Sequence, residues 1–119
     1  METPKIYESE YRFCRILWER EPVKSTELVK LCREQLGWSK ATTFTVIKRL
    51  SERGVVKSEN AVVTSLVSKE QAQTAAVDEL VEKTFDGSLP AFVAAFTRRG
   101  LSAAEAEELR RLIDAYTED

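Results

Sequence analysis

The sequence predicts a mostly helical chain that carries one small β-hairpin, and three observations lead there. Apolar residues recur at helical spacing along most of the 119 residues. Serines suited to helix starts precede several of these stretches. Two form capping boxes, SKEQ at Ser68–Gln71 and SAAE at Ser102–Glu105. One segment alone, VVKSENAVVTSLVS, places apolar β-branched runs around a polar turn.

The first helix is expected from about Ser9 to Arg20. Tyr11, Cys14, Leu17 and Trp18 give it an apolar stripe, which Phe13 and Ile16 broaden. Pro22 stops it, because proline disfavours helical geometry in the residue before it. The second helix is expected from about Ser25 to Leu36, with Ser25 offering a cap and Leu28, Leu31 and Cys32 facing inward. Gly37 suits the left-handed position that closes a helix. Trp38 is expected to pack on the core.

The third helix lies in SKATTFTVIKRL, residues 39–50, with Ser39 as its cap. Thr43, Val46, Ile47 and Leu50 share its inner face. Burial of the three aliphatic residues contributes about 1.5–3 kcal/mol each. At about 100° per residue, Ala41, Thr45, Lys48 and Glu52 point outward. Thr42 and Arg49 flank that face on one side and Phe44 on the other. Gly54 ends the helix. In the hairpin, Val55-Val56 and Ala61-Val62-Val63 flank the turn Ser58-Glu59-Asn60, where Asn60 tolerates positive φ.

The remainder returns to helical spacing. A helix from the Ser68 box to about Phe85 is lined by Val77, Leu80, Val81 and Phe85, and DGSLP breaks it. Ser88 caps a short helix with Pro90 in its first turn and a stripe of Leu89, Phe92, Val93 and Phe96. The last helix, about Ala103 to Tyr116, gathers Ala106, Leu109, Ile113 and Tyr116 on one side.

Composition narrows the function. Histidine is absent, which removes Ser-His and Cys-His nucleophile pairs and the commonest zinc ligand. An enzyme is not expected, and no catalytic residue, metal ligand or cofactor is assigned. Cys14 and Cys32 lie in helical patterns and read as small buried hydrophobes. No apolar run is long enough to span a membrane. The start, METPKIYESEYRF, lacks an apolar stretch behind a basic leader, so a cytoplasmic protein is expected. Net charge is −2, yet it is unevenly spread: residues 1–60 hold 12 Lys and Arg against 9 Asp and Glu, and residues 61–119 hold 6 against 11. The basic excess lies with the third helix, where it can meet phosphate.

Three helices followed by a hairpin is the winged-helix order. In helix-turn-helix proteins the later helix enters the major groove and its N-terminal residues reach base edges. No Asp or Glu occurs from residue 39 to 51. Thr42 and Thr45 offer hydroxyls, Lys40, Lys48 and Arg49 can meet phosphates, and Ala41 and Phe44 can contact the thymine methyl. Phe44 has a second reading, as a brace against the wing or a neighbouring helix. The C-terminal helices carry apolar stripes without a core to cover them, and symmetric pairing would supply burial. The residues expected to pair are Val77, Leu80, Val81, Phe85, Leu89, Phe92, Val93, Phe96, Leu109, Leu112, Ile113 and Tyr116.

The stretches ESEYRFCRILWE, GWSKATTFTVIKRLSERG and FDGSLPAFVAAF carry a resemblance. The chain resembles, over almost its whole length, the BlaI/MecI/CopY family of bacterial repressors, the penicillinase-repressor type. The middle stretch is the most specific: Trp38-Ser39, Thr42, Thr45, Arg49-Leu50 and Gly54 match the family's W-S-x-x-T…T…R-L…G pattern. The resemblance implies a winged helix-turn-helix DNA-binding domain, residues 1–67, and a helical dimerisation arm, residues 68–119. It implies a homodimer on a palindromic double-stranded DNA operator. In the beta-lactam branch a membrane sensor metalloprotease triggers cleavage of the arm. The family's Asn-Phe scissile bond falls at Ala95-Phe96, with alanine where the family has asparagine.

Other departures concern the ends and the wing. The C-terminus RRLIDAYTED lacks the paired cysteines of the copper-responsive branch, so copper sensing is not expected. Glu59-Asn60, Ala61 and Val63 stand where relatives carry Gly-Arg and aromatic residues, leaving Lys57 as the wing's cation. Phe44 replaces a commonly polar residue such as Gln. The expected function is a dimeric DNA-binding repressor. The alternative is a winged helix that binds protein, which the acidic total and the weak wing favour.

Overall fold

A computed structural model describes residues 2–118. Six helices and three short strands follow the chain: α1 (Glu8–Arg20), β1 (Val23–Lys24), α2 (Ser25–Leu36), α3 (Lys40–Glu52), β2 (Val56–Glu59), β3 (Val62–Ser65), α4 (Lys69–Thr84), α5 (Leu89–Thr97) and α6 (Ala103–Tyr116). This is a mostly helical fold with a small antiparallel sheet, the winged-helix pattern with helices after it. The chain divides into two compact units, one ending at Ala76 and one beginning at Val77.

The first unit holds the core. Phe13, Cys14, Ile16 and Leu17 of α1, Leu28, Leu31 and Cys32 of α2, and Val46, Ile47 and Leu50 of α3 are buried together with Val55, Val56 and Val63 of the wing. The burial of α1 centres on Phe13 and Leu17, while Tyr11 and Trp18 are half-buried at its edge. They meet edge to face at 5.5 Å, and the Trp18 indole Nε1 donates to the Val67 carbonyl at 2.9 Å. That bond lets a large apolar ring sit inside while its N–H stays satisfied. Trp38 packs on the core as expected, its ring stacked on Phe13 at 6.3 Å.

The sheet has three strands in the order β1-β3-β2, all antiparallel. The hairpin register pairs Val56 with Ser65 and Glu59 with Val62. Its turn is therefore Asn60-Ala61, one residue later than the sequence suggests, with φ of 54° and 61°. Positive φ at both positions matches the right-handed twist of a two-residue hairpin. The added strand β1, Val23–Lys24, pairs with Val63 and Val62. Two residues show no alternation, so the sequence pattern missed it.

Caps explain most helix starts. Ser39 Oγ accepts from the Thr42 N–H at 3.1 Å, and Ser88 Oγ from the Ala91 N–H at 3.1 Å. Both capping boxes form: Ser68 N–H donates to Gln71 Oε1 at 2.8 Å, and Ser102 N–H to Glu105 Oε1 at 3.0 Å. The start of α2 differs from expectation. Ser25 is the first helical residue and is buried, Lys24 holds the cap position, and no side chain caps it. The Ser25 N–H donates instead to the Ala61 carbonyl at 2.8 Å, so backbone of the wing does the work of a cap.

The second unit is built differently. Neither α5 nor α6 buries a residue fully. Within it Phe85, Phe92 and Phe96 make an edge-to-face chain with centroids 5.6 and 5.5 Å apart. Leu80, Leu89, Leu112, Ile113 and Tyr116 are exposed, Tyr116 by 82%. No described helix is long and apolar enough to cross a membrane.

Candidate nucleic-acid interface

The inner face of α3 is fixed by four buried residues, Thr43, Val46, Ile47 and Leu50. Its rotation about its own axis follows from that burial, so the opposite face must meet solvent. Lys40, Ala41, Thr42, Phe44, Thr45, Lys48 and Arg49 are all exposed, as the pattern predicts. No residue described forms an ion pair with Lys40, Lys48 or Arg49.

The threonines are not equivalent. Thr43 is buried, and its hydroxyl donates to the Ser39 carbonyl at 3.1 Å. Thr45 Oγ1 donates back to the Ala41 carbonyl at 2.9 Å, a bond helical threonines favour. Its hydroxyl keeps lone pairs to offer but its hydrogen is engaged. Ser39 Oγ donates to Thr42 Oγ1 at 3.0 Å, which leaves the Thr42 hydrogen available. Phe44 lies outside the core cluster and is 39% exposed.

Both ends of α3 are held. At the start, the Ser39 cap orders the first turn. At the end, the Arg53 guanidinium pairs with Glu10 of α1 and donates through Nη1 to the Lys5 carbonyl at 2.8 Å. Arg53 also lies 5.2 Å from the centre of the Tyr7 ring, within reach of a cation–π attraction. Glu10 is only 6% exposed, and it accepts from the Tyr7 N–H at 2.9 Å. A buried carboxylate requires such partners. Spacing along the sequence gives no hint of this group, because its members come from the chain start, α1 and the end of α3.

The wing adds little positive charge. Lys57 Nζ lies 2.8 Å from Glu59 Oε2, both on β2 and both exposed. The hydrogen bond and charge of Glu59 hold the Lys57 pKa above its ordinary value, and Lys57 holds Glu59 below the usual carboxylate range in the same way. Lys57 thus stands paired. The strand behind the wing is braced by Glu21, whose carboxylate accepts from the Ser65 N–H at 2.7 Å and from its hydroxyl. That brace joins residues 44 apart and has no local sequence signature.

Ala95 and Phe96 are half-buried within α5 rather than on a loop. Among the described residues no group of three or more ligand-type side chains could hold a metal ion. The thiols are closed off: burial pushes the Cys14 pKa up to about 12 and raises that of Cys32, with the Thr43 side chain opposing the second effect more weakly.

The comparison with known families agrees with this geometry. The profile of the penicillinase repressors matches residues 6–115. The methicillin resistance regulatory protein MecI of Staphylococcus aureus strain Mu50 is 26% identical over 117 residues, covering 94% of this chain and 95% of that protein. The MecI proteins of Mammaliicoccus sciuri and Staphylococcus epidermidis are similar to the same extent, 26% over 117 residues. With the profile spanning nearly the whole sequence, the chain belongs to the penicillinase repressor family, a family of DNA-binding transcriptional regulators rather than enzymes.

Proposed function

We propose that this repressor acts in the cytoplasm as a homodimer that binds a palindromic double-stranded DNA operator through α3. Residues 1–67 serve as the DNA-binding domain and residues 68–119 as the dimerisation region. The observation that carries this reading is the exposed face of α3, free of carboxylate until Glu52 at its last residue and bearing three cations without an ion-pair partner among the described residues, opposite a buried inner face. Thr42, Thr45, Ala41 and Phe44 face bases; Lys40, Lys48 and Arg49 face phosphates. Lys57 takes part only where a phosphate displaces Glu59.

Pairing rests on the second unit. Its exposed Val77, Leu80, Leu89, Leu112, Ile113 and Tyr116, with Phe85, Phe92, Val93, Phe96 and Leu109 half-covered, make an apolar surface that water disfavours. Val81 alone among the expected pairing residues is already buried in the single chain, so its role is internal support. A twofold arrangement of two α3 helices suits a two-half operator. Relief by a sensor protease at Ala95-Phe96 would require α5 to unwind locally. Severing that bond would separate α6 from α4 and divide the pairing surface.

A titration of the full chain against duplex DNA from its own promoter, at several salt concentrations, tests the reading. Binding that weakens steeply with salt is expected from phosphate contacts. Absence of any salt-dependent binding would favour the alternative, a winged helix that binds protein. The ion-paired wing is the observation on that side.

A further inference from the structure

The outer face of α3 lacks the side chains that read adenine and cytosine by paired hydrogen bonds. No Asn, Gln, Asp or Glu occupies residues 39–51, so no amide is present for the paired bonds that select adenine and no carboxylate for cytosine. The Thr45 hydroxyl hydrogen is engaged by the Ala41 carbonyl at 2.9 Å. Beside it stand the Ala41 methyl and the Phe44 ring, the latter 39% exposed and outside the core. Lys40 and Lys48 lie one helical turn before and after Phe44, on the same side. The face is therefore apolar between cations. These groups cover no part of the core, and a major-groove edge offers them one apolar group per A·T pair, the thymine 5-methyl.

We propose that Phe44, together with Ala41 and the Thr45 methyl, reads thymine 5-methyl groups, so that this repressor's half-site is specified by methyl contact more than by paired hydrogen bonds. Lys40 and Lys48 anchor the backbone on either side and hold the ring against the groove edge. The inference rests on α3 being the groove-facing helix, and the experiment separates the two.

Duplexes are selected from a randomised pool with the full-length chain. In the tightest duplex each thymine is then replaced singly by deoxyuridine, which removes the methyl and leaves every hydrogen-bonding group. The wild-type chain is expected to lose about fourfold in affinity at one or two positions per half-site, the worth of one buried methyl. Phe44→Ala is expected to bind thymine and uracil duplexes alike at one of those positions. If the wild type tolerates uracil everywhere, or if Phe44→Ala discriminates as the wild type does, methyl reading is overturned while DNA binding stands. If no duplex is enriched, the DNA-binding reading fails and this inference with it. The wild-type comparison needs no variant, so a folding defect in Phe44→Ala cannot mask the result.

Discussion

Arg49 sits on the exposed flank of α3, and although Glu52 follows three residues later, Arg49 has no ion-pair partner among the described residues. It is thus free to meet phosphate, and Arg49→Ala is expected to weaken binding to all duplexes alike. Salt titration should show the log–log slope reduced by about 1; an unchanged slope would remove Arg49 from the interface. Cys14 makes a second case at this scale. Its thiol, raised to about 12 by burial and by the nearby Glu10 charge, stays protonated in the folded state at a pH where the unfolded chain ionises. The unfolded state then binds fewer protons, so stability falls as pH rises from about 9 toward 12. Denaturant midpoints measured across that range should decrease, and a Cys14→Ala variant should show a smaller decrease.

At the scale of elements, what could be read from sequence and what could not divides by distance along the chain. The α3 face, the Ser39 cap and both capping boxes depend on residues three or four apart, and periodicity exposes them. The Arg53–Glu10 pair joins residues 43 positions apart, and Glu21 reaches Ser65 across 44. Charge pairs of this kind have no local signature. Strand β1 escaped for another reason, since two residues cannot display a period of two. The wing's weakness is legible in part: Glu59 is visible in sequence, but its bond to Lys57 depends on the strand that sets the two side chains on one face. Releasing that bond should recruit the wing. Glu59→Gln is expected to raise affinity at low salt and to steepen the salt slope by about 1, and the double variant with Lys57→Gln should return both to their starting values. A Glu59→Gln protein with unaltered binding would place the wing away from phosphate.

For the whole molecule, the two compact units have unequal means of support. The first contains nearly all the fully buried side chains, whereas α5 and α6 contribute none. A chain of this size buries limited surface alone, and in the proposed dimer a second copy would add what is missing. Ile113 is a suitable probe because it is 61% exposed and its replacement disturbs no core. Ile113→Asp is expected to shift sedimentation from dimer to monomer and to weaken binding to two-half duplexes. The unfolding of the first unit should stay nearly unchanged, since surface changes away from packing lie within about 0.5 kcal/mol. A variant that remains dimeric would move the pairing surface elsewhere on the second unit.

The bond from the Ser25 N–H to the Ala61 carbonyl has a consequence for how such proteins diversify. A cap made by a side chain is lost when that residue changes; a cap made by a peptide carbonyl survives any substitution that keeps the backbone path. The wing tip can therefore trade acidic for basic side chains while α2 keeps its anchor. Length is what the bond demands there, because one inserted residue would carry the carbonyl out of reach. Proteins with unlike wing chemistry can then share one scaffold, with the charge of the tip changed and the helix start undisturbed.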